Sequence, residues 1–353
     1  MSTRRCDIKT IISLISFLLC LRGLGQSAYA QDFNADVRRF APPTDPNATL
    51  VLQPASTPGA IAWSAGLVSS YARRLLVLRD PSGHQVSVPV ADQLSSDLLF
   101  NIGIGERLAL GLRLPMIMRQ GGDSQVPLGW QLPRSALGDL AFDAKATLIP
   151  RGALGGVGLA SYARMTAPSG ARHSTISNSG VTGELGLLSE LDWIIASLRL
   201  SAGVLVRSER QVLFSDTYGN ELPWAAGLLL RPRALGIDNQ GKWQWFVEAG
   251  GALSLSPDFA KSRTSPAALG FGARYAVAKD FSALLGVQLP LNSAVGVPTV
   301  RAIIGINWAP RFADADGDGI PDDADDCPEL AEDRNGVEDD DGCPEGSNEP
   351  PAS

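Results

Sequence analysis

From about residue 61 to residue 308 apolar and polar positions alternate with period two, interrupted by turn residues. Across 107–114, Leu108, Leu110, Leu112 and Leu114 face one way, and Arg107, Ala109, Gly111 and Arg113 the other. In 139–148, Leu140, Phe142, Ala144, Ala146 and Leu148 oppose Asp139, Asp143, Lys145 and Thr147. Leu198, Leu200, Val204 and Val206 oppose Ser197, Arg199, Ser201 and Arg207. Trp243, Trp245, Val247 and Leu253 oppose Gln244, Glu248 and Ser254, and Val300, Ile304, Ile306 and Trp308 oppose Thr299, Arg301 and Asn307. The pattern predicts about twelve strands, at 60–79, 85–104, 107–118, 138–149, 154–165, 180–191, 194–207, 222–232, 243–255, 266–277, 281–290 and 297–308. No stretch reaches the ~20 apolar residues that a membrane-spanning helix needs.

Alternation alone fits two architectures. A soluble sandwich turns its apolar face inward, whereas a membrane barrel turns it toward lipid and its polar face toward the lumen. Three features favour the barrel. Long polar connections (119–137, 166–179, 208–221, 256–265) alternate with tight ones at 105–106, 151–152, 192–193 and 279–280. That is the habit of outer-membrane barrels; 80–84 and 233–242 fit it less well. Trp63, Trp193, Trp243, Trp245 and Trp308 all fall at the tight-turn rim and Trp224 at the other, as interfacial girdles require. Charged residues (Arg107, Arg113, Asp139, Asp143, Lys145, Glu184, Arg199, Glu248, Arg274, Arg301) occupy the alternate face, where a lumen would pair them. The expected fold class is all-β: an antiparallel transmembrane β-barrel of about twelve strands, at 59–310, with both chain ends in the periplasm.

The start of the chain reads differently. Arg4, Arg5 and Lys9 precede a short apolar run, and Ala28-Tyr29-Ala30 supplies small residues for cleavage. Residues 1–30 therefore read as a secretory signal. A Pro-rich segment without clear period follows at 31–58. Loss of Cys6 and Cys20 with the signal leaves Cys327 and Cys343, which allow a single disulfide in an oxidising compartment.

Charge is unevenly spread. The formal net charge is −7, yet the stretch from Asp314 onward holds sixteen acids against one base, Arg334. The remainder is net basic, without the clustered stripe that nucleic acid demands. Within the acidic stretch, Asp314, Asp316, Asp318, Asp322 and Asp325 stand at positions 1, 3, 5, 9 and 12 of a loop with Gly319 at 6. The Ile320 carbonyl adds an oxygen at 7, so hard donors surround one point and suit Ca²⁺. An EF-hand wants Glu where Asp325 stands, and no helix is expected on either side.

The run 314–327 resembles a thrombospondin type 3 repeat, D-x-D-x-D-G-x-x-D-x-x-D-x-C, through Asp314, Asp316, Asp318, Gly319, Asp322, Asp325 and Cys327. A shorter companion, 333–343, keeps spaced acids and ends in Cys343; Asp333, Asn335, Asp339 and Asp341 are its candidate ligands, with Asn335 weakening the site. Residues 311–345 are thus expected to form a small, loop-rich calcium-bound module, with a disordered tail at 346–353. Taken as a whole the chain resembles OmpA-family outer-membrane proteins that carry such repeats, though without their peptidoglycan-binding domain. Gly138-Asp139-Leu140 with Lys145 downstream is similar to a strand opening common in barrel channels.

The resemblance implies a cell outer-membrane location, with the bilayer as partner and the calcium module in the periplasm. It also implies a structural or adhesive role; a porin or solute channel is the alternative. An enzyme is not expected, because neither His84 nor His173 has a nucleophile in a base arrangement and no phosphate loop occurs. Extracellular calcium modules bind at about 10⁻⁴–10⁻³ M. Calorimetric titration of residues 309–353 with CaCl₂ should therefore show binding below roughly 10 mM, weakened by Asp318→Ala. No heat from the parent peptide refutes the site, and an unchanged affinity in the variant refutes the ligand set.

Overall fold

The structure is a computed structural model. It describes residues 35–310 apart from 60–61, 81, 83, 106, 124–131, 155, 214–215 and 256–258, together with Cys327, Cys343 and Pro344. In chain order the strands are β1 (Trp63–Arg79), β2 (Gln85–Ile104), β3 (Leu108–Gly121), β4 (Ala136–Leu137), β5 (Ala141–Leu154), β6 (Val157–Thr166), β7 (Thr182–Asp192) and β8 (Ala196–Arg207). They continue as β9 (Gln211–Leu213), β10 (Asp216–Tyr218), β11 (Glu221–Leu230), β12 (Trp243–Ser254), β13 (Ala267–Ala276), β14 (Phe281–Pro290) and β15 (Val300–Trp308). Leaving out the short β4, β9 and β10, twelve strands pair antiparallel with their chain neighbours. β15 then returns to β1, with Ala65 opposite Trp308 and Arg73 opposite Val300. The twelve long strands thus form a closed barrel, and none of them is an edge strand with unpaired backbone.

Alternation resolves into an inside-out molecule. Ile304 is 57 % exposed on the outer wall while Arg301 is 3 % exposed inside, and Leu185 and Glu190 stand at 61 % and 0 %. Leu108, Leu110, Leu112, Phe142, Val204, Val206, Trp243 and Trp245 also face outward, and Arg113, Lys145, Arg199 and Glu248 inward. A soluble sheet would expose the second set. The outer wall is instead that of a barrel in contact with lipid. Among the described residues no helix is long and apolar enough to cross a membrane.

The two ends of the barrel differ. At one, connections are short: 105–107, where Gly105 takes φ 62°, and 155–156, 193–195 and 277–280. The longer link 231–242 at this end folds into a 3₁₀ turn, Pro232–Leu235. Aromatic rings gather at this rim. Trp63 meets Trp308 edge-on at 4.7 Å and Phe100 at 6.4 Å, Phe281 stacks on Trp308 at 6.1 Å, and Trp243 lies 4.6 Å from Tyr275. The opposite, loop end carries 122–140, 167–181, 208–220, 255–266 and 291–299. The connection 80–84 is short although it lies at the loop end, because β1 and β2 run on for 17 and 20 residues.

The outward positions give a direct test. Leu285 sits mid-strand on the outer wall beside Ile304. Leu285→Arg should cost about 2–4 kcal/mol, measured by urea titration of the barrel folded into lipid vesicles. No loss relative to Leu285→Ala would mean that this face does not meet hydrocarbon.

Candidate functional site in the barrel lumen

The Pro-rich segment that precedes β1 runs through the barrel. Ala35 and Val37 are buried at the loop end against Ala72, Leu75, Leu76, Val90 and Tyr218. Phe40 and Leu50 pack at mid-depth with Val68, Leu229, Phe246, Leu284 and Ile303. Ala55 lies among Ala160, Tyr162 and Leu188 nearer the turn end. From there the chain leaves and starts β1 at Trp63. Ala35, the first described residue, is at the loop end, because the segment threads the lumen instead of leading straight into β1; the chain ends expected in the periplasm lie outside the described residues.

An irregular chain enclosed by a barrel needs a partner for every backbone polar group. Five prolines, at 42, 43, 46, 54 and 58, reduce the number of N–H donors to satisfy. The segment meets part of the demand itself, with the Asn47 amide on Asp45 and the Thr49 amide on the Leu52 carbonyl, and the wall supplies much of the remainder. Arg301 donates to the Arg38 carbonyl (2.6 Å), Arg199 to that of Asn47 (3.1 Å), and Arg274 to those of Pro46 and Ala48. Lys145 Nζ bonds the Pro54 and Ser56 carbonyls at 3.1 and 2.6 Å, and Thr147 Oγ1 bonds that of Ala55 at 2.8 Å. In the other sense, the Val51 and Ala55 amides donate to the carboxylates of Glu248 (3.0 Å) and Glu190 (3.1 Å). Thr49 also donates its hydroxyl to Glu248.

Ion pairs fasten the segment at both ends. Arg38 holds Asp97 in a buried fork at 2.6 and 3.1 Å. Arg39 bonds both oxygens of Glu221 at 2.8 Å, and Asp45 meets Lys145 at 2.5 Å. Apolar anchors fit wall positions that lack a side chain. A Cβ on Gly286 would lie 2.6 Å from Leu50 Cδ2, and one on Gly227 2.7 Å from Leu52 Cδ1. Guanidinium groups also cover rings, Arg301 over Phe40 at 4.9 Å and Arg39 over Tyr218 at 5.1 Å.

Loops close the same end. The connection 167–181 folds inward, with Ser174, Thr175 and Ile176 buried. Gln93 Nε2 and Thr175 Oγ1 both donate to Gln120 Oε1, at 3.0 and 2.8 Å, and the Thr175 carbonyl accepts from the Val37 amide. Asp139 lies at this end and not along the strand wall. Its carboxylate takes the Gly170 and Asn178 amides and the Ser177 hydroxyl, which pins the loop. What remains of the lumen includes a cavity of about 270 Å³ beside the segment.

The sequence-derived metal ligands Asp314, Asp316, Asp318, Ile320, Asp322, Asp325, Asp333, Asn335, Asp339 and Asp341 all lie outside the described residues. Cys327 and Cys343 are joined by a disulfide, with Cα atoms 5.1 Å apart. One polar cluster escaped the sequence reading. Ser82 Oγ lies 2.9 Å from His84 Nδ1 and bonds Asp80 at 2.6 Å. Asp80 here binds the hydroxyl itself, and the trio sits on one exposed hairpin loop, without the enclosed, donor-lined cleft a nucleophile needs. The lumenal segment was missed too. Its available signal was Arg38, Arg39 and Asp45 interleaved with Phe40, Leu50 and Leu52, a mixture unsuited to a solvated linker.

No protein-family model and no curated protein matches the chain. Among solved structures it is similar to an outer membrane channel from Pseudomonas putida F1, with TM-score 0.56, 11 % identity, and coverage of 73 % of this chain and 99 % of that one. The NanC porin aligns at TM-score 0.45 with 8 % identity, over 70 % and 98 % of the two chains. The translocator domain of the autotransporter NalP from Neisseria meningitidis aligns at 0.41 with 12 % identity, over 72 % and 89 %. The first likeness places the fold among outer-membrane β-barrels; the other two are too slight to carry argument.

The Arg38–Asp97 pair tests how the segment is held. Asp97→Ala leaves a buried guanidinium unpaired, a loss of about 3–5 kcal/mol. Amide exchange across 35–45 should then accelerate relative to wild type, while that of β13 and β14 should not. Equal protection in both proteins would show that the pair does not secure the segment.

Proposed function

We propose that this chain is a solute channel of the outer membrane, closed at rest by its own lumen-threading segment. The observation that carries the reading is the segment itself: a barrel serving only as a scaffold has no need of a removable chain inside it. Beside its apolar anchors the segment is held by polar, reversible bonds, as those of Arg38, Arg39, Asp45 and Thr49 illustrate. Support also comes from the apolar outer wall, the charged inner wall and the likeness to an outer membrane channel. These favour transport over a structural or adhesive role.

Short turns of such barrels face the periplasm. That rule sets the turn end, and with it the exit of β15 at Trp308, on the periplasmic side. The acidic stretch beyond it would then bind calcium there, as a compact spacer clipped by Cys327–Cys343. Ala35, conversely, would lie toward the cell exterior.

Planar-bilayer recording tests the channel. The full chain should give small or rare conductance steps, and deletion of 35–56 should enlarge them several-fold. Phe40→Asp with Leu50→Asp, which places charge in the apolar anchor sites, should raise the open fraction without shortening the chain. A deletion variant that folds, migrates as a barrel and conducts no better than wild type would overturn the reading.

A further inference from the structure

The cavity beside the segment has a one-sided chemistry. Five guanidinium groups line it, from Arg39, Arg113, Arg164, Arg207 and Arg301, against three carboxylates, from Asp36, Glu184 and Glu221. Some of that charge is matched. Arg164 grips Asp143 at 2.6 and 3.1 Å, and Arg39 and Arg207 share the single carboxylate of Glu221. Arg113 is matched only at a distance. The carboxylates of Asp97 and Asp143 act on it through space, but it is 4 % exposed, makes no ion pair with the described residues, and its Nε and Nη1 have no hydrogen-bond partner among them. Arg301 spends its Nη atoms on the neutral Gln288 side chain and the Arg38 carbonyl, and its Nε is also without a partner. Arg207 likewise leaves Nε and Nη1 unbonded.

Buried donors left open cost free energy unless something accepts from them. A guanidinium presents a planar fork that matches a carboxylate two bonds at a time. Phe40, Val51, Tyr162, Leu188 and Leu205 line the same space and offer surface to a carbon skeleton. We propose that this cavity is a binding site for a small organic carboxylate, with Arg113 as its principal ligand and Arg301 and Arg207 completing the field. This deepens the channel reading: it rests on the lumen being a solute path and names the class of solute.

The site also couples to closure. Arg39, Phe40 and Asp36 belong to the threaded segment, and Arg301 holds it at the Arg38 carbonyl. An anion accepted by Arg113 and Arg301 competes with that carbonyl for the same guanidinium, so occupancy loosens the segment at one of its fastenings.

Binding can be measured without conduction, which separates this site from the channel reading. Full-length protein in detergent at low chloride, titrated calorimetrically with citrate, should show saturable binding that weakens as salt screens it. Arg113→Gln should weaken citrate at least tenfold, Arg113→Lys less, and Lys279→Gln in a turn not at all. A folded barrel shown by gel migration guards the first variant, and Arg301→Gln provides an independent loss. Absence of saturable citrate binding, or an affinity unchanged by both Arg113→Gln and Arg301→Gln, overturns the site whatever the bilayer recordings show. Inorganic phosphate binding more tightly than citrate overturns the carboxylate assignment.

Discussion

A peptide backbone removed from water must find its hydrogen bonds in protein, and this molecule satisfies that demand twice. The wall does so by closure: β15 pairs with β1, so all twelve long strands have two neighbours and lipid meets only side chains. The threaded segment cannot use the same device, because strands already paired on both sides have no backbone to spare. Its carbonyls instead accept from wall side chains, chiefly Lys145, Arg199, Arg274 and Arg301. Its amides and cationic side chains meet wall carboxylates such as Glu190, Glu248 and Asp97, so the inner wall carries charges of both signs.

The difference matters for dynamics. Opening the wall would expose ladder bonds to hydrocarbon, so the barrel persists as one cooperative object. Releasing the segment exchanges side-chain bonds for water within the lumen, where each such exchange is nearly balanced. Buried ion pairs such as Arg38–Asp97 act in the same sense. They add little net stability, because desolvation offsets attraction, yet they fix the place and register of what they join. In the proposed channel, a rigid wall around this separately held filling would serve as the gate.

Glycine positions show how closely wall and filling are matched. Gly227 and Gly286 leave room for Leu52 and Leu50, so the apolar anchors of the segment enter the wall itself. On the outside the same strands present Leu228 and Leu285 to lipid. One strand thus serves two solvents and a ligand-like segment, and its period-two pattern reflects all three.

That pattern is what the sequence determined without help. The twelve long strands stand within a few residues of where alternation places them, and Leu108, Phe142, Leu185 and Ile304 face outward as their spacing demands. The rim of Trp63, Trp243 and Trp308 was legible for the same reason: a strand's side-chain direction and depth follow from counting residues. The partners of the lumenal charges were not. Arg199, Arg274 and Arg301 could be assigned to the interior, but which acceptors they meet depends on where 35–56 lies, and that segment has no period to read. Its path is set by contacts with residues as distant in sequence as Glu248 and Arg301. The open donors of Arg113 emerged by the same route. Local spacing decided the wall, because each strand's pattern refers only to itself and its solvent. Only tertiary structure decided the filling, because an irregular chain takes its conformation from whatever surface surrounds it.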